Sequence, residues 1–332
     1  MRKYSIPVMA VLICTVFLGI AVGAFAEDYY VVFVWPHHDY WQPIIKGAED
    51  AGAWLGVDIH VTGSSEYTAE GVVSSIEQVI AMAPDAIITS GSAAATPEGV
   101  VDVHNEAVAS GIATIIVDSD SPDSNRYCFI GADQTTLGAM AADALAAAVI
   151  AKRGEAEGEI AVEYIPGSAN LEARVAGFEA RLAEKYPGLS VVAKVNDEGQ
   201  AQTGQTQLMQ LIASKPNLVG FYGVHATAAI AIGAALLEAG AVDSIASVSM
   251  DATPPALALL EEGTIDALVV QNTYNFGFWA VVMAYVAAHE SEVLAPSEDW
   301  DALGLAPTPP YVNPGAMIIT EANVAGYVGG DD

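Results

Sequence analysis

Ile115-Ile116-Val117-Asp118-Ser119-Asp120-Ser121-Pro122-Asp123-Ser124-Asn125-Arg126 carries an apolar, β-branched run directly into a turn holding three carboxylates. In an open α/β sheet, ligands bind just beyond the carboxyl ends of parallel strands. Ionised carboxylates placed there can only accept hydrogen bonds, which suits a ligand rich in hydroxyl donors. The stretch therefore predicts a parallel-sheet protein with a sugar or polyol hand-hold at Asp118. An N-cap or turn role is open to Asp118 as well, and Asp120 and Asp123 read as solvated turn acids.

Outward from this stretch, short β-branched runs alternate with helical patterns of three to four turns, as in βαβ proteins. Tyr29 to Val34, Val57 to Val61, Ala86 to Thr89 and Ala113 to Val117 read as strands. Between them, Ile44, Ile45, Ala48, Ala51 and Leu55, then Val72, Val73, Ile76, Val79 and Ile80, recur at helical spacing. A second set of strands follows at Glu159 to Tyr164, Leu189 to Val195, Leu218 to Tyr222, Ile245 to Ser249 and Ile265 to Val270. Two sets imply two lobes, and the absence of a low-complexity linker implies short hinge segments between them. Ala306 to Pro314 is proline-rich and reads as an extended last crossing.

Arg2 and Lys3, the apolar stretch from Ile6 to Val22, and Ala24-Phe25-Ala26 have the layout of a cleavable secretory signal, with cleavage near Ala26. Export to the periplasm is expected. Cys14 follows Ile13 and lacks the small residue that precedes a lipoprotein cysteine, and with the signal removed only Cys128 remains, so no intramolecular disulfide can form. The formal net charge of −30, from 41 acidic and 11 basic residues, repels phosphate and disfavours nucleic acid and anionic membranes as partners. A saline habitat would also account for such a surface.

Asp39-Tyr40-Trp41 before Lys46-Gly47-Ala48, the acidic run before Ile130-Gly131-Ala132-Asp133, Asn170 to Arg174 before Gly177-Phe178, Met250-Asp251, and Gln271 ahead of Gly277 together resemble the type I periplasmic sugar-binding proteins of ABC transporters, the ribose-binding-like group. The resemblance covers essentially the whole chain after the signal. It implies two Rossmann-like lobes with parallel sheets joined by a three-segment hinge. One lobe would comprise residues 27–132 plus 272–312, the other 133–271 plus 313–332.

Tyr40 and Trp41 supply aromatic faces that can receive the C–H face of a sugar. They match the family's stacking pair, whereas Trp35 is expected in the core. The resemblance puts ligand contacts at His38, Asp118, Asp251 from the opposite lobe, and Gln271. Ser90 ends a strand and opens a loop of small residues that lets a ligand approach closely. Asn170 and Arg174 follow from the resemblance too, although an arginine there can equally be structural. Glu172 stands where the ribose-binding subgroup has a sugar-contacting arginine, so an extra carboxylate in the cleft would suit a more hydroxylated polyol or an amino sugar. Near Thr227 and His225 the alignment is too loose to choose between them. The pair His37-His38 lacks metal-ligand spacing, and no metal or cofactor is expected.

The reading is a monomeric, non-catalytic receptor that clamps one sugar-like molecule and presents it to a membrane permease. A sensory receptor of the same fold, of the autoinducer-2, chemotaxis or histidine-kinase input type, is the alternative. No nucleophile elbow, phosphate loop, dinucleotide fingerprint or zinc-spaced set supports an enzyme, and the secretion signal and charge exclude a repressor.

Overall fold

The computed structural model describes residues 26–65, 68–91, 97–289 and 308–328. The expected signal segment through Phe25 and residues 92–96 lie outside these.

The first sheet is built from β1 (Asp28–Val34), β2 (Asp58–Ser64), β3 (Ala86–Ser90), β4 (Ala113–Val117), β5 (Cys128–Ile130) and β11 (Tyr311–Val312), in the order β2-β1-β3-β4-β5-β11. All of its pairings are parallel. Its helices are α1 (Gln42–Leu55), α2 (Ala69–Ile80), α3 (Pro97–Ala109) and α9 (Thr273–Ala288). Local chemistry sets their ends. Thr68 Oγ1 accepts the Gly71 N–H at 3.1 Å to start α2, and Gly56, at φ 80°, takes the left-handed turn that stops α1.

The second sheet repeats this plan with β6 (Gly158–Tyr164), β7 (Leu189–Asn196), β8 (Leu218–Gly223), β9 (Ala246–Met250), β10 (Ala267–Gln271) and β12 (Ala316–Ile319), in the order β7-β6-β8-β9-β10-β12. Around it lie α4 (Gln134–Arg153), α5 (Ala169–Lys185), α6 (Ala201–Ser214), α7 (Ala228–Ala239), α8 (Pro254–Glu261) and the short α10 (Val324–Val328). The expected two lobes with parallel sheets are present, and among the described strands β12 is the exception, running antiparallel to β10. β11 runs parallel to its sheet, and from its carboxyl end the chain reaches the second sheet through only Asn313-Pro314-Gly315, so it enters beside the carboxyl end of β10 and runs back along it. Among the described residues the chain thus passes between the sheets three times: from Ile130 to Gln134, from Gln271 to Thr273, and from Val312 to Ala316.

Each lobe locks a helix pair backbone to backbone. A Cβ at Gly47 would stand 2.0 Å from Tyr274 O, and one at Gly277 1.8 Å from Ile44 O, so α1 and α9 meet at two glycines. In the second lobe Gly138 and Gly177 do the same for α4 and α5, at 1.9 Å from Arg174 O and 2.1 Å from Thr135 O. α4 is long and apolar enough to cross a membrane by length and composition alone, but its buried residues Leu137, Ala141, Leu145 and Val149 belong to the core shared with α5 and the second sheet.

Candidate functional site

The carboxyl ends of the two sheets face each other and bring four predicted residues into one hydrogen-bonded row. Tyr40 Oη donates to Asp118 Oδ1 at 2.5 Å. Gln271 Nε2 lies 3.2 Å from Tyr40 Oη and 3.3 Å from Asp251 Oδ1. Asp118 follows β4 and Asp251 follows β9, so the row runs from one lobe to the other. Each aspartate is pinned by its own N–H, which donates to Ile130 O at 3.0 Å and to Val269 O at 2.9 Å respectively. His38 sets the aromatic end. Its Nδ1 accepts the Tyr40 N–H at 3.1 Å and starts the 3-10 turn Asp39–Trp41. That turn aims Tyr40 inward and lays Trp41 on Phe33, with centroids 4.2 Å apart and planes 15° apart.

Burial dominates the electrostatics. It pushes Asp118 up to about 6, although the Tyr40 hydrogen bond and the Arg174 charge oppose it. Burial also raises Asp251, against Arg174, Gln271 and the charges of His225 and His38. The Tyr40 phenol is held well above its usual range by burial, then by the two aspartates. Arg174 is the buried cation here; its Nε donates to Gln134 Oε1 at 2.6 Å and NH1 to Val224 O at 2.9 Å. Gln271 Oε1 and Tyr222 Oη are buried and make no hydrogen bond. An acceptor-rich site with one buried guanidinium is completed by a guest that brings hydroxyl donors.

Beside the row, a hollow is lined by Phe33 and Val34 of β1, Thr89 and Ser90 of β3, Trp41, Asp118, and, from the start of α5, Ser168 and Asn170. In strand order 2-1-3-4-5 the chain reverses direction across the sheet between β1 and β3, which leaves a crevice there. Ser90, Trp41, Asp118 and Asn170 are therefore brought together, while His38 acts through the backbone of Tyr40.

Three expectations are corrected. Glu172 is exposed, and its carboxylate accepts the Gly167 N–H at 3.1 Å, tying the turn before α5. Trp35 is not a core residue: it is 43% exposed, with φ 47°, and its indole donates to Ser65 O at 2.7 Å. Asp120 is no free turn acid, because Arg126 grips both its oxygens at 2.6 and 2.7 Å. Gln134 and Tyr222 escaped the sequence reading. A lone glutamine at a helix start and a tyrosine inside an apolar strand carry no spacing signal.

A two-lobed α/β fold whose strand ends bring polar side chains of both lobes into one row defines a solute-binding protein. The chain belongs to the periplasmic binding protein family, whose domain matches residues 29–291. It is 25% identical over 294 residues to the D-allose-binding periplasmic protein of Escherichia coli K12, covering 83% of this chain and 90% of that one. Among solved structures it is similar to the sugar-binding protein of a sugar ABC transporter from Bacillus halodurans, with TM-score 0.82 and 29% identity over 91% of this chain and 100% of that one. It is likewise similar to an arabinose-binding protein from Geobacillus stearothermophilus, with TM-score 0.78 and 30% identity over 91% and 99%.

Proposed function

We propose that this protein is the exported, monomeric, non-catalytic receptor of a sugar ABC transporter. It takes one pentose, hexose or related polyol between its lobes and presents the closed form to a membrane permease. The rigid bodies would be residues 27–132 plus 272–312 and 133–271 plus 313–332, with a signal cleaved near Ala26. The ligand residues would be Tyr40, Trp41, Ser90, Asp118, Asn170, Asp251 and Gln271, with His38 and Arg174 orienting them.

The observation that carries this reading is the row Asp118–Tyr40–Gln271–Asp251, in which two buried carboxylates from opposite lobes stand ready to accept hydroxyls. Each charge-assisted bond shielded from water contributes about 1.5 to 3 kcal/mol. Carboxylates contributed by both lobes make a bound sugar favour closure, which is the differential affinity that a conformational shift needs. The relatives named for D-allose and arabinose point to the same ligand class.

A thermal-shift screen over pentoses, hexoses and polyols, followed by calorimetry and small-angle scattering on the hits, tests it. A hit that stabilises the fold and contracts the particle supports the receptor. No stabilisation by any sugar, or turnover of a glycoside that is lost in Asp118→Asn, overturns it.

A further inference from the structure

In the first sheet the crevice between β1 and β3 is the hollow described above. The same place in the second sheet, between β6 and β8, is filled by buried polar side chains. Glu163 stands at the end of β6, Asp197 follows β7 and His225 follows β8. Glu163 and Asp197 are fully buried, and His225 is nearly so. Both Asp197 oxygens lie 3.2 Å from His225 Nε2, with Oδ1 as the hydrogen-bond partner, and Oδ1 also accepts the Gly199 N–H at 3.1 Å. On the other side of the ring, Nδ1 lies 2.9 Å from Thr227 Oγ1. Gly204 of α6 makes room for the acid, since a Cβ there would come within 2.0 Å of Glu163 Oε1.

Among the described residues neither Glu163 oxygen receives a hydrogen bond from any N–H or hydroxyl, and Asp197 Oδ2 makes none either; Glu163 pairs with Val195 across β6 and β7, which puts it on the sheet face shared by Asp197 two residues further on. Two ionised carboxylates so placed would repel each other without compensation, and one proton between them turns the contact into a hydrogen bond. Burial, then Asp197, pushes Glu163 well above the usual carboxylate range. Burial also works to raise Asp197, but the hydrogen bond and charge of His225, with the Gly199 N–H, hold it below that range. The proton therefore sits on Glu163 and the charge on Asp197.

The ring they hold lies at the floor of the cleft. From α5, Arg174 reaches the carbonyl of the preceding Val224. After the end of β9 stands Asp251, whose ionised form is favoured by Arg174, His225 and His38, while Asp118 is lowered by Arg174 and raised by Asp251.

We infer that Glu163 and Asp197 share one proton and act as a positioning pair, fixing the His225 ring where it supports Asp251 as an acceptor for the ligand. Only the last step rests on the interlobe binding reading.

Protein labelled at its carboxyl carbons and histidine nitrogens tests the pair without a ligand. The Glu163 carboxyl resonance keeps its protonated position where exposed glutamates have already ionised. In Glu163→Gln the amide donates to Asp197 in place of the acid, and the His225 ring keeps its Nε2-protonated pattern; Asp197→Asn loses it. A Glu163 that ionises with the exposed glutamates, or a Glu163→Gln ring spectrum as altered as that of Asp197→Asn, overturns the shared proton. The wild-type resonance alone decides this point should Asp197→Asn not fold.

Calorimetry with D-allose and D-arabinose reads the binding step, in which Asp197→Asn weakens affinity about tenfold and Glu163→Gln less than about threefold. Asp197→Asn binding as wild type overturns the positioning role. Wild-type protein that binds neither sugar counts against the sugar reading, while the resonances still decide the shared proton.

Discussion

Asp118 and Asp251 occupy the same place in the two halves of the molecule. Each is the first residue past the fourth strand of its set, β4 or β9, at φ 66° and 65° respectively. A left-handed backbone is uncommon outside glycine, though aspartate tolerates it better than most residues. Strain of this kind costs about 1 to 3 kcal/mol and collects at functional positions. The same local bend carries each carboxylate to its partner in the row, Asp118 to Tyr40 and Asp251 to Gln271, and these two partners meet between the lobes.

Stability and ligand affinity should respond to pH in opposite directions. Asp118 is raised from 3.8 to about 6 in the folded protein, so between these values the native state holds more protons than the unfolded chain. The stability from neutral Asp118 is complete below pH 3.8 and is lost as pH rises through about 6, on the order of 3 kcal/mol in all. Sugar binding uses the ionised form and should weaken about tenfold from pH 8 to pH 5. Denaturation and calorimetry across this range check both slopes. In Asp118→Asn the ligand-free protein gains about 2 kcal/mol at pH 7 while affinity falls.

Tyr40→Phe removes the hydroxyl that bonds Asp118 and meets Gln271. Without that donor the Asp118 carboxyl titrates at higher pH still, visible in its carbon resonance. Affinity for the screened sugar drops by about 1 to 3 kcal/mol, because the buried Asp118 carboxylate loses its donor while Gln271 keeps only Asp251. An unmoved Asp118 titration would contradict the row.

Arg174→Met keeps the length of the side chain but deletes its bonds to Gln134 Oε1 and Val224 O. Destabilisation of about 2 to 4 kcal/mol is expected in urea unfolding. Both cleft aspartates should titrate higher, since the guanidinium lowers each of them.

Gly47→Ala and Gly177→Ala each push a methyl into a backbone carbonyl, at 2.0 Å from Tyr274 O and 2.1 Å from Thr135 O. Each variant should lose about 1 to 3 kcal/mol, read as a lower midpoint in urea. Gly99→Ala, in α3, meets among the described residues only Val73 Cγ2 at 3.7 Å and should gain up to about 1 kcal/mol from helix propensity.

The long strands were legible because apolar runs such as Ala113 to Val117 are buried on both faces. The three-residue β5 and the two-residue β11 were not, since so few residues establish no period. β11 is fixed instead by contacts from afar: the Phe129 N–H donates to Pro310 O at 3.1 Å, and Phe129 stacks on Tyr311 with centroids 5.5 Å apart. In the candidate site, Asp118 could be picked out from its position after a strand, whereas Asp251 and Gln271 were expected from the family resemblance. Glu172 misled because one residue along α5 separates an exposed position from the buried face that Arg174 occupies. The Glu163–Asp197 contact joins residues 34 apart in sequence; its one local trace is an acid within the buried end of β6, where an unpaired charge would not be tolerated.

At the glycine seams main chain lies against main chain, which leaves no side chain there for substitution to vary. The cleft walls carry no such restriction. Descendants of this chain could trade one cargo for another by rewriting a few wall positions, while the way each half keeps its shape stays untouched.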